Sequence, residues 1–259
     1  MILPIGDDNR DRTTVPYVTY AFLLVNVVVF AFLQQFGANA EFTYSYSAVP
    51  EEIVTGRDLI TEGRVYSDPV TGSRYRVPGL GPTPITVYIT LITSMFMHGG
   101  FAHIVGNMLY LWIFGDNVED RVGHVRFALF YLLCGAIATL SHVFATYALG
   151  GSTTTPMLGA SGAVSAVLGA YLLLFPRKRV RVILLRILMS VPAWFAIVLW
   201  FAFQLISGVG AFGAGSQAGG VAYAAHIGGF IAGAILIWLF AIGRPRGRRR
   251  SGGSRGGVR

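Results

Sequence analysis

Residues 158–175 read LGASGAVSAVLGAYLLLF. The stretch is apolar enough for a membrane interior, yet it contains a serine among small residues, Ser161, and is followed directly by the charged run Pro176-Arg177-Lys178-Arg179. A helix from Ser161 to Phe175 is about 22 Å long at 1.5 Å per residue, which is less than the roughly 30 Å hydrocarbon core of a bilayer. With the charged run at one membrane surface, Ser161 lies roughly 8 Å below the other.

The depth of Ser161 constrains the backbone that precedes it. Residues 150–160 must dip into the membrane without being helical, and irregular backbone at that depth is tolerated only where protein shields it or where it lines a water-filled cavity. A recessed hydroxyl at a helix N-terminus, facing water, is a suitable place for an activated nucleophile. Ser161 is therefore the first candidate catalytic residue.

The composition indicates an integral membrane protein. Of the 259 residues, 54% are hydrophobic and 12% are charged, whereas soluble domains carry about 25% charged residues. The net charge of +8 is concentrated beside apolar segments, with five cations in residues 177–186 and seven from residue 244 onward. Such clusters mark the cytosolic side of membrane proteins, so we expect contact with membrane lipid and no nucleic-acid partner.

Apolar segments along the chain predict the fold class: an all-α integral membrane protein with a six-transmembrane-helix bundle. Placing both cationic clusters in the cytosol puts both termini there and turns a long first loop outward. The six predicted segments are residues 17–36, 101–117, 124–147, 161–175, 187–207 and 222–242.

The predicted organisation has three parts. Residues 1–14 form a cytosolic N-terminus, residues 15–242 a membrane domain, and residues 243–259 a disordered basic cytosolic tail. Within the membrane domain, residues 37–97 form the extracytoplasmic first loop, and its apolar end (85–97) lies as a helix in the outer leaflet. A short acidic N-terminus without a transit peptide favours a prokaryotic plasma membrane.

Small residues predict a close approach between the fourth and sixth segments. Ser161, Ser165 and Gly169 form one stripe at intervals of four, and in the sixth segment Gly229 and Gly233 share a face with His226. Stripes of this kind let membrane helices pack tightly. The Ser161 hydroxyl and the His226 imidazole are then within hydrogen-bond reach, as a nucleophile and its base.

Two more polar side chains lie at the same predicted depth. His103 and Asn107 are four residues apart, so they share one face at the outer end of the second segment. Taken alone, each of these residues more often forms a structural hydrogen bond between helices. Together with Ser161 and His226 they supply two candidate donors for an oxyanion, and polar groups inside a membrane are functional candidates.

At this point the sequence resembles a known family, the rhomboid intramembrane serine proteases, from about Val15 to Ala241. The resemblance implies a Ser161–His226 dyad, with an oxyanion hole formed by the Ser161 N–H, His103 and Asn107. In one respect the sequence departs from the family, because Ser165 stands where the best-known bacterial members have a tyrosine that packs on the catalytic histidine. The motifs that carry the resemblance are His103-x-x-x-Asn107, Glu119-Asp120-Arg121, Gly159-Ala160-Ser161-Gly162 and Ala225-His226-x-x-Gly229-x-x-x-Gly233.

The resemblance also implies the substrates and the parts that support the site. Substrates would be membrane proteins with a transmembrane helix of weak helical propensity near the outer surface, admitted by the fifth helix or by the loop after it. Supporting or packing roles fall to Gly159, Gly162, Gly229, Gly233, Glu119 and Arg121.

Other functions fit the sequence less well. The pattern at Ser161 is Gly-x-Ser-Gly and differs from the Gly-x-Ser-x-Gly elbow of other hydrolases. Neither a His-Glu-x-x-His zinc motif nor a pair of acidic residues within the apolar segments occurs, so we expect no metal and no cofactor. A transporter would show inverted repeats, and none is evident. The remaining alternative is a catalytically silent rhomboid-like protein that binds and escorts membrane proteins, although such proteins typically lose the serine or the histidine.

Overall fold

The computed structural model describes residues 2–67, 74–184, 186–213 and 223–243. Residues 214–222, between the last two helices, and residues 244–259 of the predicted tail lie outside the described part of the chain. Nine α-helices run through the described part of the chain. They are α1 (Tyr17–Val28), α2 (Ala40–Ser45), α3 (Pro50–Thr55), α4 (Thr90–Thr93), α5 (Phe101–Val122), α6 (His124–Leu149), α7 (Ser161–Leu174), α8 (Ala193–Gly213) and α9 (Tyr223–Ala241).

Each predicted apolar segment contains one of the longer helices. Among the described residues, α6 and α9 are long and apolar enough to cross a membrane alone, and α5 joins them if it is counted with the short helices of Val87–Phe96, from which it is bent by 82°. The remaining three are shorter, namely Tyr17–Leu33, Ser161–Leu174 and Ala193–Gly208. The structure is thus a bundle of apolar helices, and length and composition do not by themselves establish six spans.

The prediction of an all-α fold is wrong at one end of the bundle. Strands β1 (Ile2–Asp7), β4 (Arg179–Leu184) and β5 (Ile187–Pro192) form an antiparallel sheet in the order β1-β4-β5. In β4, Val180 and Val182 are fully buried and alternate with the exposed Arg179 and Arg181, which is the period-two pattern of a half-buried strand. The predicted fifth segment therefore begins as a strand at Ile187 and becomes helical only at Ala193.

A second pair of strands lies in the predicted first loop. Strands β2 (Arg64–Ser67) and β3 (Arg74–Val77) pair antiparallel. This loop also contains the short helices α2 and α3 and is therefore more structured than the sequence indicated.

Polar side chains join the three-stranded sheet to the helix ends beneath it. The Tyr171 hydroxyl and the Asn117 amide donate to Asp7 Oδ2 at 2.6 and 2.7 Å. Two residues further along α5, Glu119 is fully buried and accepts from the Thr19 N–H and hydroxyl at 2.7 and 2.6 Å. Glu119 thereby accepts a hydrogen bond from one of the first N–H groups of α1, which have no partner within the helix. Together these bonds connect the sheet to the helix ends.

Helices α7 and α9 are in backbone contact. A methyl group on Gly229 would collide with the carbonyl oxygen of Gly162, and one on Gly233 would collide with the carbonyl oxygen of Ala166. Likewise a methyl group on Gly169 would strike the carbonyl of Phe230. The predicted close approach of these two helices is present in the structure, and glycine is what permits it.

We expect Gly233→Ala to destabilise the protein. Alanine favours a helix by about 1 kcal/mol over glycine, but overpacking against an immovable backbone atom costs about 1–3 kcal/mol, so the collision outweighs the propensity. Thermal unfolding in detergent should show a lower Tm. The matched control is Gly106→Ala in α5, where nothing lies within 4 Å of the added carbon and Tm should stay level or rise. Equal Tm values for both variants would contradict backbone contact between α7 and α9.

We also expect a pH-dependent stability effect from Asp7. Burial raises the pKa of this carboxyl from 3.8 to about 6, against the lowering effect of the Tyr171 hydroxyl. A raised native pKa means that its stabilising contribution is complete below about pH 4 and is lost as the pH rises through about 6. Asp7→Asn keeps an oxygen acceptor and should raise the free energy of unfolding by about 1–3 kcal/mol at pH 8, with little change at pH 4.

Thermal unfolding of the wild type and Asp7→Asn at both pH values measures this effect. Asp8→Asn serves as the control, because Asp8 pairs with an arginine whose side chain is 90% exposed and should give no gain at pH 8. A wild-type Tm at pH 8 that equals that of Asp7→Asn would refute the prediction.

Candidate active site

The segment before Ser161 is non-helical from residue 151 to residue 160, as the short α7 predicts. Its polar backbone is paired with the first loop: Ala48 and Met157 exchange both N–H···O bonds at 3.0 and 2.8 Å, and the Glu51 N–H donates to the Thr153 carbonyl at 2.9 Å. Nearer the serine, the Gly159 N–H donates to the Ser94 carbonyl at 2.8 Å. Protein therefore shields this irregular backbone, as a membrane environment demands.

Ser161 is the first residue of α7 and is partly exposed, whereas the residues that follow it on the helix are buried. The preceding residue, Ala160, provides no side-chain cap. The first N–H groups of a helix have no partner within the helix, and the helix dipole adds a partial positive charge there. The hydroxyl thus lies beside donors suited to a developing negative charge.

A cavity of about 1280 Å³ opens at this position. All four side chains predicted for the chemistry line it, namely those of Ser161, His226, His103 and Asn107. The cavity also borders the first loop, for example at Ala40. The structure therefore brings the predicted residues to one place, on helices α5, α7 and α9.

The His103 ring is held at both edges. The Gly99 N–H donates to Nδ1 at 3.3 Å, so the proton of the neutral ring is on Nε2. That edge faces Gly159, where an added Cβ would lie 2.7 Å from Nε2. Gly159 has a φ of +122°, a backbone conformation that residues other than glycine rarely adopt. Gly159 thus leaves room for an N–H donor beside Ser161.

Asn107 carries an unused donor. Its side chain is 7% exposed, and Nδ2 has no hydrogen-bond partner among the described residues. Buried amide groups are nearly always paired, and leaving one unpaired costs about 1–3 kcal/mol. A donor kept unpaired on the wall of a cavity is what an oxyanion site requires before its ligand arrives.

The histidine that would act as base is contacted by helix α8. His226 Nδ1 lies 2.7 Å from Gln204 Oε1, and the Trp200 and Tyr223 rings flank it with centroids 6.2 and 6.3 Å away. Ser165 does not hold the ring, because its hydroxyl donates to the Ser161 carbonyl at 2.6 Å. The hydrogen bonds between described residues include none from the Ser161 hydroxyl to His226.

Glu119 and Arg121 lie far from this cavity. They are at the other end of α5 from His103, sixteen and eighteen residues along the helix, which is about 24 Å or more. Glu119 also contacts His124 Nδ1 at 2.5 Å. These two residues therefore belong to the sheet end of the bundle, and neither reaches His226.

Two contributors to the site escape the sequence-based prediction. Gln204 is the only amide side chain in an otherwise apolar helix, a signal that could have singled it out. Gln34, which is fully buried, accepts from the His98 N–H at 3.0 Å and donates to the His98 carbonyl at 2.9 Å. It thereby holds the turn that leads into α5, and no motif pointed to that role.

Comparison with known proteins identifies the family. The Rhomboid domain model matches residues 86–242, which is more than half of the chain. "Rhomboid protein 1, mitochondrial" of Saccharomyces cerevisiae is 32% identical over 167 residues, covering 64% of this chain and 46% of that protein. "Rhomboid protease GluP" of Bacillus subtilis is 41% identical over 83 residues, 32% of this chain and 15% of that protein.

A third relative is "Presenilin-associated rhomboid-like protein, mitochondrial" of Bos taurus, 31% identical over 121 residues, 43% of this chain and 32% of that protein. The chain thus spans less than half the length of each of these curated relatives. The family match takes in every helix that contributes a side chain to the cavity chemistry, from α5 to α9. This chain belongs to the rhomboid family.

Proposed function

We propose that this chain is an intramembrane serine endopeptidase that cleaves transmembrane segments of membrane proteins with a Ser161–His226 dyad. One observation carries the proposal: Ser161, His226 and an unpaired Asn107 donor line a single cavity. Membership of a family that includes a relative named as a protease adds support.

The chemistry follows from the positions of these groups. His226 Nε2 takes the hydroxyl proton while Ser161 Oγ attacks the scissile carbonyl carbon. The C–N bond then breaks, the leaving amine receives that proton, and an acyl-enzyme remains. A water molecule gives a proton to His226 and its oxygen attacks the acyl carbon. The bond between that carbon and Ser161 Oγ then breaks, Oγ takes the proton back from His226, and the new carboxylic acid is released.

Donors on three sides would stabilise the negative oxygen of each tetrahedral intermediate. They are the Ser161 N–H at the start of α7, His103 Nε2–H and Asn107 Nδ2. Each donor removed from such a site costs about 10²–10³-fold in rate in other enzymes. The fixed positions of His103 and Gly159 support this arrangement, since they require no reorganisation when charge develops.

The membrane topology belongs to the same proposal. We infer six spans, with the three-stranded sheet and both termini in the cytosol. They are formed by α1 together with the π-helix Val29–Leu33 that continues it, and by α5, α6, α7, α8 and α9. The cavity then opens toward the outer side, where a transmembrane substrate could be presented. Two of the three named relatives are mitochondrial. These two do not support the predicted location in a prokaryotic plasma membrane.

A catalytically silent protein that binds membrane proteins is the second candidate function. The observation in its favour is that the Ser161 hydroxyl makes no hydrogen bond to His226 among the described residues. Catalytic hydrogen bonds are often long before substrate binds and shorten in the complex, so this observation weighs less than the shared cavity. A chemical test of Ser161 separates the two functions.

We expect a fluorophosphonate to label the wild-type protein at Ser161, since only an activated serine reacts readily with it. Ser161→Ala and His226→Ala should abolish both labelling and cleavage of a transmembrane reporter. Ser141→Ala is the matched control, because among the described residues its hydroxyl donates to the Ile137 carbonyl of its own helix α6, and it should be labelled as fast as the wild type. Cleavage that persists in Ser161→Ala would refute the assignment.

Asn107→Ala should lower kcat by about 10²–10³-fold and yet retain more activity than Ser161→Ala. The reason is that a lost donor weakens transition-state binding while the nucleophile remains. The measurement is kcat on the reporter per folded molecule. Asn26→Ala removes a buried asparagine whose amide, among the described residues, donates to the Phe22 carbonyl of its own helix, and it should keep the wild-type kcat. An equal loss in both variants would argue for a purely structural effect.

A further inference from the structure

Gln204 is an unusual residue for its position. The side chain is 6% exposed, whereas its helical neighbours Phe203, Leu205 and Ile206 are exposed on the outside of the bundle. A buried amide in an apolar setting costs free energy unless it is hydrogen bonded. The partner that it has is His226 Nδ1, at 2.7 Å.

The chemistry of this bond fixes the tautomer of the histidine. A carbonyl oxygen can only accept, so Nδ1 must carry the proton when it faces Oε1. The neutral ring then has its lone pair on Nε2, which is the atom that must take the proton from Ser161. The opposite orientation of the amide would leave the proton on Nε2 and remove the base.

Helix α8 also supplies a second contact to the ring. Trp200, one turn before Gln204, lies with its centroid 6.2 Å from that of His226 at an angle of 36°. On the α7 side, Ser165 is occupied with the Ser161 carbonyl. The orienting contacts therefore come from α8, together with Tyr223 of α9 itself.

We propose that Gln204 is a positioning residue that completes the dyad by holding His226 in its catalytic tautomer and orientation. An amide takes the same place in the Cys-His-Asn arrangement of other proteases. The inference rests on the proposed function and deepens it. Because Gln204 belongs to α8, His226 keeps its catalytic tautomer and orientation only while α8 is packed against α9.

Two substitutions at residue 204 test this role. Gln204→Leu removes the acceptor at similar size and should lower kcat by about 10–100-fold, the loss found when the hydrogen-bond partner that orients a metal-bound histidine is removed. KM for the transmembrane reporter should change by less than about twofold, since Gln204 acts through His226. Labelling of Ser161 by a fluorophosphonate should slow by the same factor as kcat, because this small probe needs the base and no transmembrane binding.

Gln204→Glu is the rescue variant, because it restores an oxygen acceptor and should recover most of the lost labelling rate. Phe203→Leu, the exposed neighbour, is the control and should match the wild type. Loss of labelling in both residue-204 variants alike, or a wild-type rate in Gln204→Leu, would overturn the inference while leaving the proposed protease intact. A wild-type protein that is neither labelled nor active would instead overturn the protease and this inference with it.

Discussion

The backbone contact between α7 and α9 is the constraint on which the site depends. Both helices contribute at intervals of four, with Gly162 and Ala166 facing Gly229 and Gly233. Because the two sets of positions match turn by turn, the helices have one register and cannot slide without a collision. That register puts Ser161, just before Gly162, at the same end of the bundle as His226, one turn before Gly229.

The short α7 creates a second requirement, which the first loop meets. Starting the helix at Ser161 leaves ten preceding residues without helical hydrogen bonds at a depth where water is scarce. The pairing of Ala48 with Met157 and of Glu51 with Thr153 satisfies part of this backbone. Helix α3, which carries Glu51, and the residues just before it, which include Ala48, are therefore structural components of the site.

Features that depend on one segment of the sequence could be predicted, whereas features that depend on pairing between distant segments could not. The start of α7 at Ser161 and its contact with α9 were predictable, because helix length, Pro176 and the glycine intervals are read along one segment. The sheet was not, because β1 is short and its residues pair with residues of β4 that are 173 to 182 positions away in the sequence. In β4, the alternation of arginine and valine does indicate a strand. The same arginines also form a cationic cluster, which favoured interpreting the segment as a cytosolic loop. Gln204 was missed because its partner, His226, is on another helix.

The contact that brings the serine and histidine together also explains why the base is held from α8. Tight packing of α7 on α9 restricts α7 to small side chains, and Ser165, 1% exposed, is one of them. Its hydroxyl donates to the Ser161 carbonyl, so the contacts to the imidazole come from the other side. Trp200 and Gln204 occupy that side. The outer face of α8 is otherwise apolar and exposed. Under the proposed function, a transmembrane substrate that displaced α8 would therefore also release the histidine, and the proposed dyad would re-form only when α8 returned.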